Sequence, residues 1–171
     1  DRQDKVLVRD ADLARFAGGR WLNDTCVDGA LKLAHAEKLP EPFRPLVYTV
    51  SSFQLQLCFP GGIADSVRLG RTFGYARLQS KLLVAVVLHH REHYSAGLLM
   101  RTDALGCWSA VHGDSLAGTH PTDELLRPLC NYLNDGGGGA CGTVAVPQQP
   151  NGADCAVYAH LVIACALRWV A

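Results

Sequence analysis

The chain has seven cysteines, yet no two form a CxxC pair and no even, clustered spacing links them. That argues against a disulfide-stapled secreted module and against a zinc knuckle. An excess of charge is also missing: 16 basic residues face 16 acidic ones, and no basic tract interrupts the sequence. Without such a tract there is no footprint for nucleic acid or an anionic membrane, and the expected partner is a protein or a small molecule. Long apolar runs are missing too. Residues 155–171 are the nearest approach, but His160 and Arg168 break them, and so short a stretch reads as a buried helix rather than a membrane span. No repeat divides the chain, whose length suits one domain over residues 1–171. Asp1 reads as a fragment boundary, and no signal peptide follows it. The thiols are therefore expected to be reduced and mostly buried, in an intracellular setting, nuclear or cytoplasmic.

What is present is an ordinary globular balance. Hydrophobic residues make up 49% and charged residues 19%, enough to bury a core without staples. Residues 12–16 read as a short helix or turn closed by Gly18-Gly19. Asn23 or Asp24 suits the N-cap of an amphipathic helix over 25–38, with Val27, Ala30, Leu31 and Ala34 on one face. Pro40, Pro42 and Pro45 end it. A strand at 46–50, a short helix at 53–58 and a loop at Pro60-Gly61-Gly62 follow, while 64–77 stays ambiguous.

The clearest strand is the continuous apolar run 82–88, the pattern of a strand covered on both faces. Strands at 94–100 and 107–113 follow, joined by a polar turn near Asp103. A helix at 124–133, a glycine surface loop at 136–139, a strand at 143–146, a turn at 148–154 and a helix at 155–169 complete the chain. The class is α+β, a central sheet with helices packed on it.

One cysteine stands where a helix begins. Pro150-Asn151-Gly152 is turn chemistry, Asp154 can cap, and Cys155 then falls in the first turn. Unpaired N–H groups there favour a thiolate, the nucleophilic form of cysteine. A core thiol is the plain alternative. An imidazole must come from elsewhere. His89, His90 and His93 follow the strongest strand, and His93 directly precedes another, a rigid place for a general base. No cysteine or carboxylate except Glu92 stands at metal-ligand spacing around them, so no metal or cofactor is expected; His89 and His90 read as solvated loop residues. A hairpin would bring Asp114 to the same sheet edge as His93, where it could orient the ring, although Gly113-Asp114-Ser115 is also an ordinary turn. Gln149 could offer its amide to an oxyanion beside the Cys155 N–H, or be a turn residue.

Together these pieces resemble the Ulp/SENP ubiquitin-like-protein proteases, a family related to adenovirus proteinase. Trp21-Leu22-Asn23-Asp24 looks like its WLND signature. His93-Tyr94-Ser95-Ala96-Gly97 is similar to its His-Trp-x-x-Gly strand, and Asp114-Ser115-Leu116 to its Asp-Ser-Leu. Pro147-Gln148-Gln149-Pro150-Asn151-Gly152-Ala153-Asp154-Cys155 is nearly its Pro-Gln-Gln-x-Asn-Gly-x-Asp-Cys.

The resemblance implies a papain-like, adenain-like fold with a mixed sheet flanked by helices and the nucleophile at a helix N-terminus. It implies Cys155 as nucleophile, His93 as base, Asp114 as orienter and Gln149 in the oxyanion hole. It also implies aromatic lids, Trp21 and Tyr94, over a tunnel that admits only glycine. The partner would be a ubiquitin-like modifier and its conjugates, SUMO first and the neddylation modifier second, bound by a monomer. Asp24 and Arg44 are candidate modifier contacts. Three features depart from the family pattern: Tyr94 replaces the usual Trp, Ala156 the usual Gly, and the hairpin between His93 and Asp114 is longer. A YopJ-like acetyltransferase and a non-catalytic modifier-binding pseudoenzyme are the rival readings.

Overall fold

The computed structural model describes residues 7–17, 20–58, 66–101 and 106–170. Gly18-Gly19, the loop at Pro60-Gly61-Gly62 and the turn near Asp103 lie outside them. In chain order the elements are α1 (Asp10–Leu13), α2 (Asp24–Lys38), β1 (Val47–Val50), α3 (Ser52–Cys58), α4 (Ser66–Phe73), α5 (Tyr75–Gln79), β2 (Leu83–His90) and β3 (His93–Arg101). They continue with β4 (Trp108–Gly113), α6 (Thr122–Leu125), α7 (Arg127–Leu133), β5 (Cys141–Val144) and α8 (Cys155–Val170). Short 3₁₀ turns cover Ala14–Phe16 and Glu41–Leu46.

The five strands lie side by side in chain order. β2, β3 and β4 form an antiparallel meander, while β1 joins β2 and β5 joins β4 in parallel. The sheet is therefore mixed, and α+β with flanking helices is the observed class. Side chains alternate across a strand, so β2 feeds two cores. Val84, Val86 and Leu88 pack with α3, α4, α5 and α7 through Leu55, Leu69, Leu78 and Leu129. Leu83, Ala85 and Val87 pack on the other face with α2 and α8 through Leu31, Ala159 and Ile163. A strand buried on both faces is what an unbroken apolar run requires.

Several boundaries differ from expectation, each for a local reason. β2 runs on through His89 and His90, because both pair across the hairpin with Tyr94 and His93; they are half-buried strand residues, not solvated loop. The stretch 124–133 is divided into α6 and α7, the second with a proline in its first turn, where a missing N–H does least harm. The ambiguous 64–77 holds all of α4 and the start of α5. The last strand begins at Cys141, two residues before the expected 143, in register with Ala110 to Gly113 of β4. Gly97 on β3 sits against α7: a Cβ there would come within 2.5 Å of Leu126.

Candidate active site

α8 starts where the sequence demands it. The Asn151 side-chain oxygen accepts the backbone N–H groups of Ala153 (2.8 Å) and Asp154 (3.1 Å), while its amide donates to the Asp154 carboxylate at 2.8 Å. The Asp154 carbonyl accepts the Tyr158 N–H as the first turn closes. Cys155 is thereby fixed as the first helical residue, 2% exposed, with the backbone N–H groups of Tyr94 and Ala156 directed at its sulfur.

His93 opens β3 and reaches both ways. Its Nε2–H donates to Asp114 Oδ1 at 2.6 Å, which leaves Nδ1 as the nitrogen for the sulfur of Cys155, within hydrogen-bonding reach. Burial alone would raise the Cys155 thiol, but the His93 ring and the two N–H groups outweigh it and hold the thiol below its ordinary value. Burial likewise opposes charge on His93, yet its bonds to Cys155 and Asp114 raise its proton affinity overall. Asp114 is pushed up by burial and brought down further by the Leu116 N–H, His93 and the His120 N–H, so it ends low. All three shifts run toward thiolate, imidazolium and carboxylate in a row. Such a row can attack an acyl carbon and return a proton to a leaving group.

The segment carrying Gln149 is cross-braced to the loop after β4. The Gln149 N–H donates to the Ser115 carbonyl at 2.9 Å, and the Ser115 hydroxyl donates to Gln149 Oε1 at 2.7 Å. Gln148 donates to the Asp114 carbonyl at 3.2 Å and accepts the Ala117 N–H at 3.0 Å. With its oxygen held by Ser115, Gln149 presents its amide nitrogen to the segment before Cys155, where it donates to the Asn151 carbonyl.

Trp21, Leu22, His89, Glu92 and Tyr94 line an open cleft. Trp21 is 46% exposed and can cover a guest, whereas Tyr94 is 3% exposed. Tyr94 stacks on His89 with ring centroids 4.2 Å apart and planes at 11°, and its hydroxyl donates to Asp24 Oδ1 at 2.7 Å. That same oxygen accepts the Ser52 hydroxyl at 3.0 Å, and Gln56 meets His89 Nδ1 at 2.7 Å. One wall of the cleft is thus the His89–Tyr94 stack, anchored by the partly exposed Asp24. Arg44 is exposed, and its guanidinium donates to the carbonyls of Ala36 and Leu39 at the end of α2.

No protein-family model matches the chain, and no curated protein matches it. Solved structures do. A de-sumoylating protease superposes with a TM-score of 0.75 at 21% identity, over 94% of this chain and 67% of that one. The C-terminal Ulp1 protease domain in complex with Smt3, the yeast ortholog of SUMO, gives 0.69 at 19% identity, over 94% of this chain and 76% of that one. The Xanthomonas campestris effector XopD bound to ubiquitin gives 0.70 at 17%, over 88% of this chain and 76% of that one. The chain has the fold of the Ulp1-type proteases.

Within that Ulp1-type frame the expected positions fall into two groups. His93, Asp114 and Cys155 form one hydrogen-bonded row, with Gln149 braced to the residue after Asp114. Trp21 and Tyr94 meet at the cleft beside it, and Asp24 supports Tyr94 from beneath. The sequence analysis gave no role to His120, Ser95, His112 or Ser115 and took His89 for a solvated loop residue. Ser95 and Ser115 stand inside quoted motifs and could have been weighed with them. His112 and His120 carry no local signal beyond a chain rich in histidine, seven in all, five of which (89, 90, 93, 112 and 120) gather here. Among the described residues no three His, Cys, Asp or Glu side chains are grouped as a metal ion requires, and no helix is long and apolar enough to cross a membrane.

Proposed function

We propose that the chain is a cysteine protease that cuts after the C-terminal Gly-Gly of a ubiquitin-like modifier, with SUMO as first substrate and the neddylation modifier as second. The Cys155–His93–Asp114 row at the start of α8 carries this reading. The Cys155 thiolate attacks the carbonyl carbon of the last glycine, and the carbonyl electron pair moves onto oxygen. The Cys155 N–H and the Gln149 amide stabilise that oxyanion. Collapse expels the amine, which takes its proton from the His93 imidazolium and leaves a thioester. Water then adds as His93 takes its proton, and the restored thiolate leaves. Asp114 holds the ring so that one nitrogen serves both transfers. Glycine is selected because any side chain passing between Trp21 and the Tyr94 wall would collide with a ring.

Solved structures of the same fold were obtained with Smt3 and with ubiquitin, so ubiquitin belongs in the test. C-terminal vinyl-sulfone or propargyl probes of SUMO, the neddylation modifier and ubiquitin should label Cys155, the SUMO probe fastest. Labelling should vanish in Cys155→Ala, which retains modifier binding, and fall by orders of magnitude in His93→Ala. Modifier binding without labelling or turnover at any pH would establish a non-catalytic binder. Transfer of acetyl from acetyl-CoA without cleavage of a modifier substrate would establish an acetyltransferase.

A further inference from the structure

Beside His93 stands a buried polar set that the reaction above does not use. His120, from the loop after β4, Ser95 of β3 and His112 of β4 are all buried. Ser95 Oγ lies 2.6 Å from His120 Nδ1 and 2.8 Å from His112 Nε2, and His120 Nε2 lies 2.8 Å from the His90 carbonyl oxygen. A carbonyl only accepts, so His120 Nε2 carries a hydrogen. In a neutral ring Nδ1 then offers a lone pair, and the single Ser95 hydroxyl proton goes to it. The Ser95 oxygen in turn accepts the Nε2–H of His112. One set of proton positions therefore satisfies this chain with both rings uncharged.

His120 touches the reactive row in two places. Its ring meets the His93 ring edge to face, with centroids 4.7 Å apart and planes at 69°. Its backbone N–H donates at 3.2 Å to Asp114 Oδ2, the carboxylate oxygen that His93 does not use. A proton added at Nδ1 would point at the Ser95 oxygen and deprive the Ser95 hydroxyl hydrogen of its His120 acceptor, so that it must turn away or His112 must take its other tautomer. It would also set a second positive charge against the His93 imidazolium.

We infer that His120 is a positioning residue: locked neutral between Ser95 and the His90 carbonyl, it holds His93 and Asp114 in line and leaves the positive charge on His93. This rests on Cys155 and His93 being the reactive pair. The titratable groups facing His120 from the packed elements are His90, whose ring is 5.8 Å away, His93, His112 and Asp114. Burial pushes the His120 ring down to about 4; the His90 carbonyl and Asp114 favour the cation, and His93 and His112 oppose it.

Long-range proton–nitrogen NMR of the unmodified chain tests the inference. His120 should stay in the neutral Nε2–H tautomer from about pH 8 to about pH 5 while His93 titrates above its ordinary value. A cationic ring or an Nδ1–H tautomer at His120 near neutrality overturns it. In Ser95→Ala and His120→Phe the pH midpoint for iodoacetamide alkylation of Cys155 should rise by about one unit, a tenfold loss of thiolate below it. Unchanged midpoints in folded variants also overturn it, and if neither variant folds the NMR result on the unmodified chain decides alone. Neither readout uses a modifier, so failure of cleavage would register separately.

Discussion

At the scale of single residues the site is a matter of fixed donors. Ser115 holds the Gln149 oxygen, so the amide nitrogen is the end that faces the segment before Cys155. Gln149→Ala should lower turnover by about 10²–10³ while leaving KM nearly unchanged, because an oxyanion donor acts in the transition state. Steady-state kinetics on a modifier fused to a fluorogenic amine checks this, and an intact rate would remove Gln149 from that role. Residues of this kind were legible because each sits in a short motif whose order along the chain is fixed. His120 was not legible. Its importance comes from a ring contact with His93 and a bond to Asp114, and neither follows from its neighbours Thr119 and Pro121.

At the scale of elements, the β2–β3 hairpin decides where His93 points. His90 pairs with His93, so the connection is the two-residue turn Arg91-Glu92, and both residues have left-handed backbone, φ 50° and φ 61°. Mirror-image turns of this sort prefer Asn-Gly, and a side chain there is strained. Replacing Arg91-Glu92 by Asn-Gly should raise stability by about 1 kcal/mol, a Tm increase of about 2–4 °C. A lower Tm would show that Arg91 or Glu92 makes compensating contacts.

The same hairpin explains why strand ends were harder to read than strand centres. The apolar pattern stops at Leu88, but backbone pairing does not need apolar side chains, and β2 continues through two histidines. The helix 155–169 was the easier case, because turn residues precede it and its buried positions Cys155, Ala159, Ile163 and Leu167 recur every four residues.

At the scale of the whole molecule, buried histidines set the acid limit. Burial, first among the causes, lowers His35, His89, His112, His120 and His160. Below the ordinary histidine value the unfolded chain takes up protons that these folded rings refuse, so stability falls as pH drops from about 6.5 toward about 4. Asp114, held low in the fold, acts in the same direction as its carboxylate is protonated. Asp28 acts oppositely: burial raises it to about 6, so between its unfolded and folded values acidification favours the native state. His93, raised, also favours the native state on acidification. With five histidines against these two groups, urea midpoints should decline from pH 7 to pH 5, and the decline should steepen in Asp28→Asn. A flat profile in both chains would contradict this balance.

The order in which the strands sit has a consequence for when reactivity appears. β2, β3 and β4 are neighbours both in sequence and in space, and closing short connections loses less chain entropy than closing long ones. The imidazole and its carboxylate partner therefore belong to the cheapest part of the sheet to form. The sulfur arrives from a distant stretch, when α8 docks on β3 and α2. On the proposed reading an unfinished chain carries an inert thiol, and nucleophilicity comes only with the completed molecule. Pulsed alkylation during refolding should find Cys155 turning fast-reacting in the last resolved step, together with the burial of Ala159 and Ile163.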